Sequence, residues 1–188
     1  MPTLSRTLAL SLWLTACAAT TTSVPPTQHT AGPRCEGTIV APDSLVPVVD
    51  EPLLASSLGQ INEGKLCQGR TYRALTPVRV YRLWNRAQSY TQLGRWWTFE
   101  RPHGPVEALR ASLEVCPEWS PLDVLSECTL TAGSHVVVGT GQSAQCQSNV
   151  HYNISAVPQV YIPNDTRATP AQVYVTDCRE LSPWPETP

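Results

Sequence analysis

The spacing of apolar residues changes period several times between Asp50 and Thr176. After Asp50-Glu51-Pro52, apolar side chains recur at Leu54, Leu58 and Ile61 and stop before Gly64, which predicts a helix with a capping aspartate and a proline in its first turn. From Thr71 to Trp84 the pattern alternates and is rich in β-branched residues. A strand here puts Val78, Val80, Arg82 and Trp84 on one face and Arg79, Tyr81 and Leu83 on the other. Arg82 is thereby aligned with apolar neighbours, so its cation is either paired or lines a cleft. Trp96-Trp97-Thr98-Phe99 reads as a second strand, because adjacent bulky aromatics suit a pleated surface. Pro105 then opens a short helix carrying Val106, Leu109 and Leu113 on one side, stopped by Cys116-Pro117. Further strands are predicted over Ser134 to Gly139, Gln159 to Ile162 and Gln172 to Thr176. Gly139-Thr140-Gly141 reads as a turn rather than a phosphate loop, since no lysine and no helix follow it. His151-Tyr152 reads as part of a loop. Few helices and many short strands give an α+β class, a compact mixed sheet with a few short helices.

The N-terminal segment has a different character. Met1 to Ala16 carries one early cation, Arg6, an apolar run from Leu8 to Leu14 and a small-residue ending, the pattern of an export signal and too short for a membrane span. Leu14-Thr15-Ala16-Cys17 resembles the bacterial lipobox. That resemblance implies cleavage before Cys17, a lipid on its sulfur and a further acyl chain, such as palmitate, on the new amino group; multiple chains hold a protein stably at a bilayer. Ala18 after the cysteine points, by analogy with enteric lipoproteins, to the outer membrane of a bacterial envelope. The alternative is an ordinary secretory signal followed by a chance cysteine. Residues 17–34 are dominated by Thr, Pro, Ala and Ser and read as a disordered tether. The expected organisation is thus a signal over 1–16, the tether, one disulfide-bonded domain over 35–180, and a flexible tail over 181–188.

Charge narrows the partners. The net charge is −2, and about −3 once Arg6 is removed with the signal. No basic footprint for nucleic acid is present, although the arginines from Arg70 to Arg110 make the middle of the chain locally cationic. Lys65 is the only lysine and carries no evident role. With Cys17 lipidated, Cys35, Cys67, Cys116, Cys128, Cys146 and Cys178 form an even set without Cys-x-x-Cys spacing, which points to three disulfides rather than a metal or redox site. Short separation favours Cys116 with Cys128, then Cys35 with Cys67 and Cys146 with Cys178. A catalytic cysteine is not expected, and His29, His103, His135 and His151 show no metal spacing.

Candidate chemistry lies in ordered islands: Tyr81-Arg82-Leu83-Trp84, Gly94-Arg95-Trp96-Trp97-Thr98, Pro117-Glu118-Trp119 and Gln159-Val160-Tyr161-Ile162-Pro163. Their order and spacing, over roughly Thr71 to Asn164, resemble the NAD-glycohydrolase and ADP-ribosyltransferase-like domains of bacterial polymorphic toxins, the group of the tuberculosis necrotizing toxin. The resemblance implies an ADP-ribosyltransferase-like fold with NAD as substrate and no other cofactor. It gives Arg82 the NAD phosphates and places Trp96, Trp97 and Thr98 around the nicotinamide and its ribose. Gln159 falls where transferases usually carry a glutamate, which favours hydrolysis to nicotinamide and ADP-ribose over protein ADP-ribosylation. Arg82 and Gln159 are the implied catalytic pair, Arg101 and His103 possible auxiliaries, and a cognate immunity protein a possible partner. Each residue also has a plainer role: Trp96 and Trp97 as core and surface neighbours of one strand, Trp119 as a core anchor, Gln159 as an ordinary strand residue. A non-catalytic envelope lipoprotein using the same scaffold for binding or structure is therefore the alternative. A glycosidase is remoter, because Glu100, Glu114, Glu118 and Glu127 show no spacing that nominates a pair.

Overall fold

Alternating apolar residues on eight strands enclose the main core from two sides. A computed structural model describes residues 34–181 and Trp184. Cys17, the export signal, almost all of the tether and most of the tail lie outside the described residues. In chain order the elements are β1 (Leu45–Pro47), α1 (Glu51–Ser57), β2 (Leu66–Ala74), β3 (Val78–Trp84), a 3₁₀ turn (Ser89–Leu93), β4 (Trp96–Trp97), α2 (Val106–Leu113), β5 (Val124–Leu130), β6 (His135–Gly141), β7 (Ala144–Gln145), β8 (His151–Tyr152), β9 (Pro158–Tyr161) and β10 (Val175–Leu181). The larger sheet has the order β1-β2-β6-β9-β4, the smaller β10-β5-β3, and β7 pairs with β8. Every strand pairing is antiparallel. Among the described residues strands thus dominate, with two short α-helices and three disulfides, the coarse class expected of the sequence.

The main core joins Val78 and Val80 of β3, and Cys128 and Leu130 of β5, to Tyr72, Trp97, Val136, Val138 and Val160 of the larger sheet. The other face of β3 is covered too: Tyr81 and Leu83 pack with Leu125, Leu109 of α2 and Leu122. Burial on both faces explains why β3 carries apolar residues on each of its faces, interrupted by Arg79 and Arg82. Helix α1 lays Leu53 and Leu54, and its C-cap Leu58, on Leu66, Val137 and Tyr161. Its cap is the expected one, with the Leu53 N–H donating to Asp50 Oδ1 at 3.2 Å. Among the described residues, no helix is long and apolar enough to cross a membrane.

Several expectations need correction. The segment from Thr71 to Trp84 is parts of two strands, parted before Pro77, which has no N–H for a ladder. Helix α1 ends early because Leu58 is extended (ψ 144°) and bridges to Leu66, leaving Ile61 half-exposed. Gly139-Thr140-Gly141 is strand, not turn. Its glycines are required by close approach: a Cβ at Gly139 would meet the Gln68 carbonyl, and one at Gly141 the Glu114 carboxyl. His151 and Tyr152 form β8, with Tyr152 packed on Cys116, Ala144 and Cys146. Strand β5, the centre of the smaller sheet, had no expectation at all.

The cysteines pair as Cys35–Cys67, Cys116–Cys146 and Cys128–Cys178. Only the first matches the pairing that short separation favours. Cys116 and Cys128 fall in different apolar clusters, since the turn after α2 carries Cys116 to Tyr152 while β5 points Cys128 into the main core. Non-reducing peptide mapping should therefore recover the Cys116–Cys146 link, and a Cys116–Cys128 peptide would contradict this fold. Replacing Cys128 and Cys178 together with serine should cost about 2–4 kcal/mol in chemical denaturation, mostly through a freer unfolded chain.

Candidate functional site

The two sheets meet where the Tyr81 N–H donates to the Thr98 carbonyl at 2.8 Å and the Thr98 N–H returns a bond to Tyr81 at 2.9 Å. Beside this seam lies a hollow of about 330 Å³, at the small end of ligand-pocket volumes. Arg82 of β3, Trp96 and Trp97 of β4, Thr98 just beyond them and Gln159 of β9 all line it. Three separated stretches of sequence thus converge on one cleft, the other wall coming from Leu113 at the end of α2 and from Glu114, Val115 and Trp119 beyond it.

Arg82 donates from Nε to the Thr91 carbonyl at 2.7 Å and from Nη1 to the Trp96 carbonyl at 2.6 Å. Its guanidinium carbon lies 5.8 Å from the centre of the Trp97 ring, a cation–π distance. Among the described residues, no carboxylate forms an ion pair with it. Burial lowers its pKa to about 10, so it remains a cation at neutral pH. A half-buried cation held by two carbonyls and an indole face, with no carboxylate beside it, keeps a large uncompensated charge, which suits an incoming anion. Gly94 is needed for this placement, because a Cβ there would strike Arg82 Nη2.

The aromatics divide their work. Trp97 is 2% exposed, belongs to the main core, and donates from Nε1 to the Gly94 carbonyl at 2.8 Å. Trp96 is half-buried and meets Tyr161 edge-on at 5.1 Å. Thr98 turns its hydroxyl to the Glu100 carbonyl at 2.7 Å. Trp119, expected in the core, is instead 50% exposed at the rim, its ring lying where a Cβ on Gly64 would touch it. It is the most open indole lining the cleft. Lys65, also without an expected role, is exposed and lines the same cleft in a left-handed conformation (φ 66°).

Gln159 is buried and donates from Nε2 to Glu114 Oε2 at 2.7 Å, with the Leu113 carbonyl at 3.5 Å from the same nitrogen. Glu114 is the site residue that the sequence conceals. It follows the last residue of α2 in a left-handed conformation (φ 49°), and the turn beyond it is fixed by buried Arg110, which donates to the carbonyls of Val115 (3.2 Å) and Ser120 (2.8 Å). Burial pushes the Glu114 carboxyl up to about 8, against the opposing hydrogen bond of Gln159. At pH 7 it is therefore mainly the neutral acid, and its Oε1 is buried without a hydrogen-bond partner. The charges lining the cleft are then the cations of Arg82 and Lys65.

A second hollow of about 650 Å³ shares Thr98, Pro102 and Leu113 with the first and holds Arg101 and His103. Those two residues are thus neighbours of the cleft and do not line it. The sulfurs of Cys116 and Cys146 and the Glu118 carboxylate lie within 4.8 Å of one another. The sulfurs are joined as a disulfide and offer no thiolate to a metal. No family model matches the chain, and no curated protein or solved structure matches it significantly.

Gly94→Ala should displace the Arg82 guanidinium and cost roughly 1–3 kcal/mol in chemical denaturation, as overpacking does; an unchanged midpoint would mean that Arg82 is not held against Gly94. For Glu114, the folded state keeps the proton up to about pH 8, whereas the unfolded chain loses it near 4.5. Its contribution is therefore most favourable below pH 4.5 and declines as pH rises to 8, by roughly 5 kcal/mol in all. Glu114→Gln should lack this decline, so the variant should gain on the wild type between pH 5 and pH 8 in denaturant melts.

Proposed function

We propose that this protein is an exported, lipid-anchored enzyme that hydrolyses the nicotinamide–ribose bond of NAD. The observation that carries the reading is the convergence of Arg82, Trp96 and Gln159, from β3, β4 and β9, on a single cleft. In the reaction the bond between the ribose anomeric carbon and the nicotinamide nitrogen breaks, and the electron pair leaves with neutral nicotinamide. Water adds its oxygen to the anomeric carbon and releases a proton, giving ADP-ribose. The transition state resembles an oxocarbenium ion, so positioning and electrostatics supply most of the rate.

In this reading Arg82 engages the phosphates through donors beyond those given to Thr91 and Trp96, and Gln159 takes the ribose hydroxyls. Trp96 stacks on nicotinamide from the strand side, and Trp119 offers a further aromatic face at the rim. Trp97 acts from below, supporting the guanidinium. The neighbouring hollow supplies room for the rest of a dinucleotide. Hydrolysis is favoured over transfer to a protein, because Gln159 is uncharged and the adjacent Glu114 carboxyl is neutral at pH 7. The ADP-ribosyltransferase-like architecture, the lipid on Cys17, an outer-membrane address and a toxin role with a cognate immunity protein belong to the same proposal.

A second reading, a non-catalytic envelope lipoprotein, is favoured by one observation. Both polar groups of the implied catalytic pair already bond within the fold, Arg82 to two carbonyls and Gln159 to Glu114. The oxidised full-length protein, incubated with NAD, should release nicotinamide, and Arg82→Ala and Gln159→Ala should each slow release by about a hundredfold or more. No release from a correctly disulfide-bonded wild type would decide for the second reading.

A further inference from the structure

Gln159 has one nitrogen and one oxygen to present, and its surroundings decide which. The two protein atoms that meet its nitrogen, Glu114 Oε2 at 2.7 Å and the Leu113 carbonyl oxygen at 3.5 Å, lie on the α2 side of the cleft. The Leu113 carbonyl can only accept, so a flipped amide would set oxygen against oxygen there. Among the described residues the Gln159 oxygen has no partner, and the side chain lines the cleft. Glu114 is itself fixed: it ends α2 in a left-handed turn, sits 2% exposed, and lies against Gly141, where a Cβ would drive its carboxyl away. Arg110 and the Cys116–Cys146 disulfide brace the turn on its far side.

We propose that Glu114 is a positioning residue, which captures the Gln159 nitrogen and so leaves the carboxamide oxygen as the group offered to a ligand. The cleft is then divided by chemistry. Arg82 provides donors only, for an anionic group, while Gln159 provides an acceptor, for hydroxyls. A ligand with an anion at one end and a sugar diol at the other satisfies both. A ligand bearing only acceptors leaves Gln159 unpaired, and a buried unpaired group discriminates strongly. The identity of the ligand as NAD rests on the function proposed above; the orientation of Gln159 does not.

Two measurements separate these. In NMR spectra of the oxidised, ¹⁵N-labelled full-length protein, one Gln159 side-chain amide proton should be shifted downfield and slow to exchange. Glu114→Ala should abolish that signature, and Glu114→Gln, which retains an acceptor, should keep it. Two Gln159 protons exchanging like those of exposed glutamines in the wild type would overturn the proposal with no variant needed, even where Glu114→Ala fails to fold. In nicotinamide release, Glu114→Ala should lower kcat by about tenfold to a hundredfold, the effect of one lost hydrogen bond to a buried polar group. Glu114→Gln should recover part of it. Equal kcat for wild type and Glu114→Ala would overturn the catalytic consequence. A wild type that releases nothing would sink the NAD reading, and the amide signals would still decide the role of Glu114.

Discussion

The arrangement rests on one pair of backbone hydrogen bonds, those exchanged by Tyr81 and Thr98. β3 is the edge of the smaller sheet and β4 the edge of the larger. Left open, each would present an unpaired row of amides and carbonyls to water or to another chain. The seam sets them against each other and makes a corner. Arg82 stands one residue beyond Tyr81, and Trp96 and Trp97 lie just before Thr98, so the corner brings a guanidinium and two indoles together. Gln159 joins them because β9 pairs with β4, with Tyr161 opposite Trp96 and Val160 opposite Trp97.

Around this corner, charge is handled without close buried ion pairs. Arg82 and Arg110 each give donors to two backbone carbonyls. The nearest carboxylate to Arg110 is that of exposed Glu107, at 3.5 Å, beyond a short hydrogen bond. Glu114 avoids charge by keeping its proton. Such groups are costly to desolvate and return little stability. Three disulfides help offset that cost, and one of them, Cys116–Cys146, braces the turn that carries Glu114 and Trp119.

What the sequence disclosed follows from the range of the forces involved. Helix α2, β4 and β9 are readable because proline, adjacent aromatics and β-branched residues act locally, whereas the grouping of Arg82, Trp96, Trp97, Thr98 and Gln159 came from the family resemblance that the ordered islands carry and not from any local pattern. β5 was not readable: its Val124-Leu125-Ser126 run is buried on both faces and lacks the alternation that marks a half-exposed strand. Glu114 and Trp119 were hidden for a different reason. Their positions depend on a left-handed residue, on Arg110 reaching two carbonyls, and on a disulfide to a cysteine 30 positions away. None of these leaves a periodic trace. Of the cysteine pairs that short separation favours, Cys35–Cys67 forms while Cys116–Cys128 and Cys146–Cys178 do not, since chain proximity does not set which apolar cluster a side chain enters.

The placement of Lys65 has a practical corollary. It is the sole lysine of the chain and lines the cleft, so acylating, cross-linking or surface-coupling reagents that seek side-chain amines have a single address on this molecule. Chemistry normally used to decorate a protein indiscriminately would here fall at one mouth, and tethering the protein to a bead by that route would plug the opening rather than leave it facing solution.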